Sequence, residues 1–556
     1  MTENIDAEQL FKEFKHVPLS EFFKKNRQYL GYVGKIKSLT TVVHELVTNA
    51  LDACEESGIL PDLAVTIKQV GNEHYMVTVK DNGPGIPESH LHLVFGQLLA
   101  GTKFHRNIQL RGQQGLGVSG AVLFSQITTG KPTRVKSGIG KGKVYDVQIQ
   151  LDIKNNQPQI MEKEEINDMW RGTLVESEFK GVQYTKGMQG PFEYIRRTAA
   201  ANPHCRIFFK DPEGHETVFE RVIESVPKKP AEIKPHPSGL ETQDLLDLAH
   251  QSKARQISTF LTSDLTRVSS QKVKEAEVEI NKIRTQHFKD SIDLKKSPKR
   301  LEWEEANDIV DAFKKVKFMA PSASGLIPIG KKHIQAALES LIAPDFIGVV
   351  TRSPTVFKGG IPFQIEVAIA YGGNAGRKTP DGPRMELMRF ANRTPLLFDS
   401  GSCVINDSMN SIDWKRYKVS DLEKSPLTIF INLISTHIPY TSTGKQAVAK
   451  ETEIHTEIRF AIMQITRDLQ AYLSGKRRAQ EKEAKKKLFE KYVPETAKAL
   501  VKLTGGDEKK LIELLEKIVL EKFNDIDEEA EANGEEETFE EVDEESEVSV
   551  EEENGE

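Results

Sequence analysis

Three cysteines in 556 residues (Cys54, Cys205 and Cys403) lie far apart with no CxxC between them. That excludes a disulfide framework and a structural zinc site, and it points to a reducing compartment. Long apolar runs are missing as well. The stretch LTIFINLISTHIPYTSTG (427–444) carries no charged side chain, but Asn, Ser, Thr, His and Pro break it, so it is no membrane span. The opening MTENIDAEQLFKEF has no apolar core, and no secretion signal is expected. A GxxxxGK[ST] motif is also absent, which excludes a P-loop ATPase. Basic side chains disappear from 525–556, a segment with 18 of the 83 acids and none of the 76 bases, so residues 1–524 carry a net +11. This tail is expected to be disordered, whereas the rest is basic enough to meet a polyanion, although many basic surfaces are only solvated faces.

What is there reads as several domains. LAVTIKQV, HYMVTVKDN and VYDVQIQLDI predict strands in 1–225. VPKKPAEIKPHPSG (226–239) reads as a linker. Residues 240–312 predict helices, with LETQDLLDLAH, SKARQISTFLTS and SSQKVKEAEVEINKIRTQHF as the segments. Mixed α/β follows over 316–445, with FQIEVAIAYGG and LTIFINLIS as buried strands. A long charged helix is expected over about 446–491, then a shorter one, DEKKLIELLEKIVLEKF, ahead of the tail.

One helix is unusual. HELVTNALDAC (44–54) is mostly apolar, yet Glu45, Asn49 and Asp52 stand at i, i+4 and i+7, on one face. Four segments follow in order: DNGPGIP (81–87), GTKF (101–104), RGQQGLGVSGAVLFS (111–125) and ITTGKP (127–132). Asp81 ends a strand pattern, where its carboxylate can enter a pocket. A glycine-rich loop running into a helix exposes backbone N–H groups suited to phosphate. The last segment reads as a turn with free hydroxyls. Each feature alone is equally at home in an ordinary helix or turn; their order and spacing within about eighty residues set them apart.

Together these segments resemble the N-box (HELVTNALDA), first glycine box (DNGPGIP) and lid with second glycine box (RGQQGLGVSG) of the GHKL ATPases. That superfamily includes gyrase, MutL proteins, the ninety-kilodalton heat-shock chaperones and histidine kinases. HELVTNALDACEESGILPD with GTKFHRNIQLRGQQGLG, and the later STGKQAVA, are similar to the topoisomerase VI B-subunit family. The resemblance covers about residues 1–475.

It implies an α+β multidomain chain. A GHKL (Bergerat) ATP-binding α/β sandwich would occupy 1–228 and a helix–two-turn–helix domain 229–306. An α/β transducer would span 307–470, a helical extension 471–524 and the disordered acidic tail 525–556. It implies ATP and Mg²⁺ as ligands: Asn49 coordinates the magnesium, Glu45 activates the attacking water and Asp52 supports the site from behind. Asp81 accepts from the adenine amine, with Gly83 and Gly85 beside it. Thr102 and Lys103 lie near the phosphates. Arg111, Gly112, Gln113, Gln114, Gly115, Leu116, Gly117 and Val118 form the lid. Lys445 reaches the γ-phosphate from the transducer; without the resemblance it reads as a loop lysine.

The implied partners are a DNA-cleaving A subunit in an A2B2 heterotetramer, a second copy of this chain and double-stranded DNA, with no membrane. The implied setting is prokaryotic cytoplasm, at the nucleoid. The helical domain either touches DNA or is a spacer, and KRRAQEKEAKKK (476–487) either meets phosphates or is a solvated face. The rival readings are a MutL-like repair clamp, which shares the ATPase and transducer but not the helical insert, a chaperone, and a sensor histidine kinase. The last needs a phosphoacceptor domain ahead of His44, where only His16 is found.

Overall fold

A computed structural model of the chain describes residues 19–98, 108–109, 111, 116–153, 155–442 and 444–533. Its first compact unit is Met1–Leu469. The N-terminal layer is an eight-stranded sheet. Its strands are β1 (Asp62–Gly71), β2 (His74–Lys80), β3 (Thr133–Ile139), β4 (Lys143–Asp152), β5 (Gln157–Asn167), β6 (Arg171–Lys180), β7 (Arg206–Lys210) and β8 (Glu216–Phe219). They lie in the order β5-β4-β3-β6-β2-β1-β7-β8. Only the β1–β7 pair is parallel; every other neighbour is antiparallel.

Alternation decides which face is covered. Leu63, Val65 and Ile67 on β1 and Tyr75, Val77 and Val79 on β2 are buried. The edge strand β5, sequence QPQIMEKEEIN, is exposed along most of its length. Its charged residues suit an edge that must not recruit another strand.

The helices covering the sheet begin with α1 (Leu19–Lys25) and α2 (Lys35–Glu56), then α3 (Glu88–Gly96), α4 (Gly117–Thr129) and α5 (Pro191–Ala201). Helix α2 is the striped helix of the sequence. Leu39, Val42, Val43, Leu46, Val47, Leu51 and Cys54 bury its wide apolar side, against β1, β2 and β6 below and α4 and α5 beside it. The expected turn at ITTGKP is instead the end of α4, closed by Gly130 in the left-handed conformation. The hydroxyls of Thr128 and Thr129 donate to carbonyls one turn back, so they are spent inside the helix.

Four helices follow: α6 (Thr242–Gln251), α7 (Ile257–Asp264), α8 (Ser270–Gln286) and α9 (Trp303–Lys315). They share one core that includes Leu245, Phe260, Ile280, Ile309 and Phe313. The boundary expected at 306/307 therefore falls inside α9. The correction has a simple cause: Ile309, Val310 and Phe313 point into the helical core and leave the domain edge after Val316.

The second sheet contains β9 (Phe346–Thr351), β10 (Thr355–Phe357), β11 (Ile361–Tyr371), β14 (Glu386–Ala391), β15 (Thr394–Pro395) and β16 (Leu427–Ser435). The strands β12 (Arg377–Thr379) and β13 (Gly382–Arg384) make a separate ribbon. Strand β16 lies between β11, antiparallel, and β14, parallel. All nine of its residues are buried, which suits its mostly apolar composition; the three polar side chains, Thr428, Asn432 and Ser435, are each hydrogen-bonded. Helix α10 (Lys331–Ile342) packs on β9 and β11, and α11 (Val404–Asn410) precedes β16.

The long charged helix is α12 (Thr452–Thr504). The second compact unit, Gln470–Glu556, ends its described part with α13 (Glu508–Asn533). Helix α13 extends past 525, where the disordered tail was expected to begin, because DIDEEAEAN is rich in the good helix formers Glu and Ala. Residues 534–556 lie outside the described residues. No helix among the described residues is long and apolar enough to cross a membrane.

Candidate functional site

Along α2 the polar stripe divides by exposure: Glu45 is half-buried, Asn49 exposed and Asp52 buried. The Asn49 amide N–H donates to the Glu45 carbonyl at 2.6 Å. That bond engages the amide nitrogen on the helix's own backbone, and the amide oxygen is the atom of this exposed side chain that a hard cation could use. The N-terminus of α4 comes up against the Glu45 carboxylate: a Cβ on Gly117 would collide with it. No side chain caps that helix, so its first amides and the positive end of its dipole face the same space. Leu116 and Val118, on either side of Gly117, are half-buried in apolar surroundings. Tyr32 lies near Glu45; burial first, then the Glu45 charge, raise its pKa.

Asp81 emerges at the end of β2. Its Oδ1 accepts from the amides of Gly83 (2.8 Å) and Thr173 (3.1 Å), and its own N–H donates to the Thr173 carbonyl. These bonds aim the carboxyl and leave the second oxygen to the pocket. Burial pushes its pKa up to about 6, against the pull of the two amides. Gly85 has φ +74°, and a Cβ there would strike the Gly138 carbonyl. Only glycine lets the DNGPGIP loop lie this close to β3. Thr173 escapes the sequence reading. Its one signal is the Gly-Thr opening of an alternating strand, RGTLVESEF.

Lys445 belongs to the loop after β16. Gly444 packs against Gly31, just before α2. Burial lowers the pKa of His44, Glu45 opposes that, and Lys445 adds to the lowering. The loop thus meets the start of the striped helix. Lys445 has φ +51°, a conformation that a lysine seldom adopts.

Arg111 opens the segment expected to form the lid. Its guanidinium is buried and donates to Asp52 (2.8 Å), Glu55 (2.7 and 3.1 Å) and Asn202 (2.6 Å). Two carboxylates on α2 thus hold both terminal nitrogens of this side chain, whereas the lid expectation concerns the backbone amides of the segment. Asp52 is accordingly a partner of the lid base. Thr102, Lys103, Gly112, Gln113, Gln114 and Gly115 lie outside the described residues.

Glu55 also escapes the sequence reading, although it continues the stripe at Asp52 + 3. It accepts from Arg111, from Arg393 (3.0 Å) and meets His204 (2.9 Å). Burial would raise its pKa, but Arg111, Arg393 and His204 outweigh this and hold it well below the usual carboxylate range. A second buried group, Arg196 and Arg197 on α5 with Glu386 on β14, also joins the two sheets.

A striped helix over an antiparallel sheet, an aspartate on neutral amides and an uncapped glycine-rich helix start define an ATPase of the GHKL class. Residues 34–155 match the family model for histidine kinase-, DNA gyrase B- and HSP90-like ATPases. Residues 321–486 match the topoisomerase VI B subunit transducer. The chain is 47% identical to the B subunit of type 2 DNA topoisomerase 6 from Thermococcus kodakarensis, over 93% of this chain and 97% of that one. It is 46% identical to the Pyrococcus horikoshii protein of the same name, over 95% and 100%. It is 48% identical to that of Methanothermobacter thermautotrophicus, over 92% and 97%. The chain belongs to the family of type 2 DNA topoisomerase 6 B subunits, and its function is that of an ATP-driven type II topoisomerase subunit; a MutL-like repair clamp is not favoured.

Proposed function

We propose that this chain is an ATP-closed gate. Two copies dimerise on binding ATP and drive a DNA-cleaving A subunit, in an A2B2 assembly, to pass one duplex through another. The observation that carries the reading is the approach of the uncapped start of α4 to Glu45, one turn from the exposed Asn49, with the Lys445 loop reaching Gly31 and the neighbouring His44. In this reading Asp81 selects adenine through its free oxygen. The α4 amides, with Thr102, Lys103 and the lid Arg111–Val118, take the phosphates. Asn49 fits Mg²⁺ as a single neutral oxygen ligand, and the ion would neutralise charge between phosphate oxygens. Glu45 takes the proton of the attacking water. Lys445 contacts the γ-phosphate and reports its loss to the transducer. The domain limits proposed with it are 1–228 for the ATPase, 229 to about 320 for the helical domain, and from there to 470 for the transducer.

The test compares wild type with Glu45→Ala in complex with the A subunit. Hydrolysis should fall about a hundredfold to ten-thousandfold, while a non-hydrolysable analogue still binds and still dimerises the chain. Repeated relaxation of supercoiled plasmid should stop. Wild-type hydrolysis in this variant would make the stripe structural and end the proposal.

A further inference from the structure

The turn between β14 and β15 has two residues, Asn392 and Arg393, and both have positive φ (+48° and +66°). Two-residue hairpin turns of this kind favour Asn-Gly, because only glycine takes the second position without strain. An arginine in that position needs another reason. Its side chain is buried and crosses from the transducer sheet to Glu55 on α2, 3.0 Å away. Its carbonyl accepts from the Asn202 amide at the end of α5 (3.2 Å). Asn202 in turn accepts from Arg111 (2.6 Å). Backbone and side chain of this one residue are both gripped from the ATPase side.

The same turn is fastened to the loop that bears Lys445. The Arg393 amide donates to the Asn432 side chain on β16 (3.1 Å). Asn392 exchanges two side-chain bonds with the backbone of Ser435, the last residue of β16 (2.9 and 3.0 Å). On the far side of the loop, the Gln446 side-chain oxygen accepts from the Phe398 amide (3.3 Å). Phe398 follows β15 closely, and its own carbonyl accepts from Arg389 on β14 (2.8 Å). Both ends of the Lys445 loop are thus tied to the hairpin whose tip is Arg393.

We infer that Arg393 is a positioning residue for ATP hydrolysis. By docking the hairpin on Glu55 it fixes the height of Lys445 over the start of α2. Helix α2 is then met by the transducer along its length: Lys37 pairs with Asp399 in the first turn (3.1 Å), the Lys445 loop comes near His44, and Arg393 reaches Glu55 about three turns beyond His44. Glu55 also holds Arg111, the residue from which the lid departs. The lid base and the transducer therefore share a single carboxylate, and a shift of either is felt by the other. The inference rests on the proposed role of Lys445.

The test uses full-length chain in complex with the A subunit. Arg393→Gly removes the reach and relieves the turn, while Glu55 keeps Arg111 and His204. The kcat for ATP should fall about tenfold, with KM and analogue affinity within about twofold of wild type, as expected where only transition-state contacts are lost. Arg393→Lys keeps a charge in reach of Glu55 and should fall between the two; it carries the test if the glycine variant fails to bind the analogue. Lys445→Ala should lose about a hundredfold. The double variant Arg393→Gly/Lys445→Ala should be no slower than Lys445→Ala alone, because Arg393 acts through Lys445. Wild-type kcat in both Arg393 variants, or losses that multiply in the double variant, would overturn the inference while leaving Lys445 its role. Wild-type hydrolysis in Lys445→Ala would overturn that role and the inference with it.

Discussion

Two enclosed carboxylates, Glu55 in the last turn of the striped helix and Asp81 just after β2, have opposite fates. Asp81 is given two neutral amides and no cation, and burial drives its pKa up to about 6. Glu55 is equally enclosed, but two guanidiniums and an imidazole surround it and hold its pKa well below the ordinary value. Depth is similar; partner chemistry decides the sign. An acid left half-satisfied is available to a ligand that brings its own donor. An acid with every lone pair engaged is a tie between pieces of protein. The comparison separates recognition from mechanics within one fold region.

The comparison breaks first at Glu55. Glu55→Gln removes the negative charge and leaves Arg111 and Arg393 buried against each other. The expected loss is about 3–5 kcal/mol, seen as a lower unfolding midpoint of the ATPase and transducer regions in denaturant. A change within about 1 kcal/mol would show that the cluster is not tied through Glu55.

Asp81→Asn should do the reverse. The unfolding midpoint should hold or rise, since an unpaired buried charge is gone. Affinity for an ATP analogue should drop about 10- to 100-fold, the worth of a hydrogen bond to a charged group. Equal loss of stability in both variants would erase the distinction drawn above.

The pH dependence sharpens it further. A carboxyl titrating at about 6 in the folded chain, against 3.8 ordinarily, holds its proton more tightly when folded. Its contribution to stability therefore falls as pH rises from about 4 to about 6, by about 3 kcal/mol in total. Glu55 runs the other way: its stabilisation is present above 4.5 and is lost as pH drops below that value. ATP-analogue affinity should weaken as pH falls through about 6, approaching tenfold per pH unit, and the Asp81→Asn variant should lack that step. An unchanged slope in the variant would assign the titration to another group.

Much of this is legible from the chain. Strands β1, β2, β4, β11 and β16 announce themselves by alternation or by β-branched runs, and α2 by its stripe. Local chemistry also marks Asp81 and the glycines that crowd it. What stays hidden depends on distant partners. Thr173 matters because β6 pairs with β2, ninety-two residues away. Glu55 is visible on the stripe, but nothing local says that positions 111, 204 and 393 converge on it. Arg111 reads as lid because it adjoins the glycine loop, and nothing local says that two acids of α2 hold its side chain. The edge at 306 misleads because α9 is amphipathic and fits a helical core or a sheet face equally well until its partners are known.

The three thiols have a consequence of their own. Cys54, Cys205 and Cys403 are all free and all sealed from solvent. Cys54 lies behind the Gly83 loop beside Asp81, and burial first, then Asp81, lifts its thiol to about 12. Cys403 sits in the other sheet region, its sulfur accepting from the Val448 amide next to the Lys445 loop. A reagent that attacks only thiolates in contact with water can reach either sulfur only while the structure around it is open. Cys54 and Cys403 therefore serve as two natural clocks, one behind Asp81 and one behind the Lys445 loop, and their labelling rates record how often each door stands ajar.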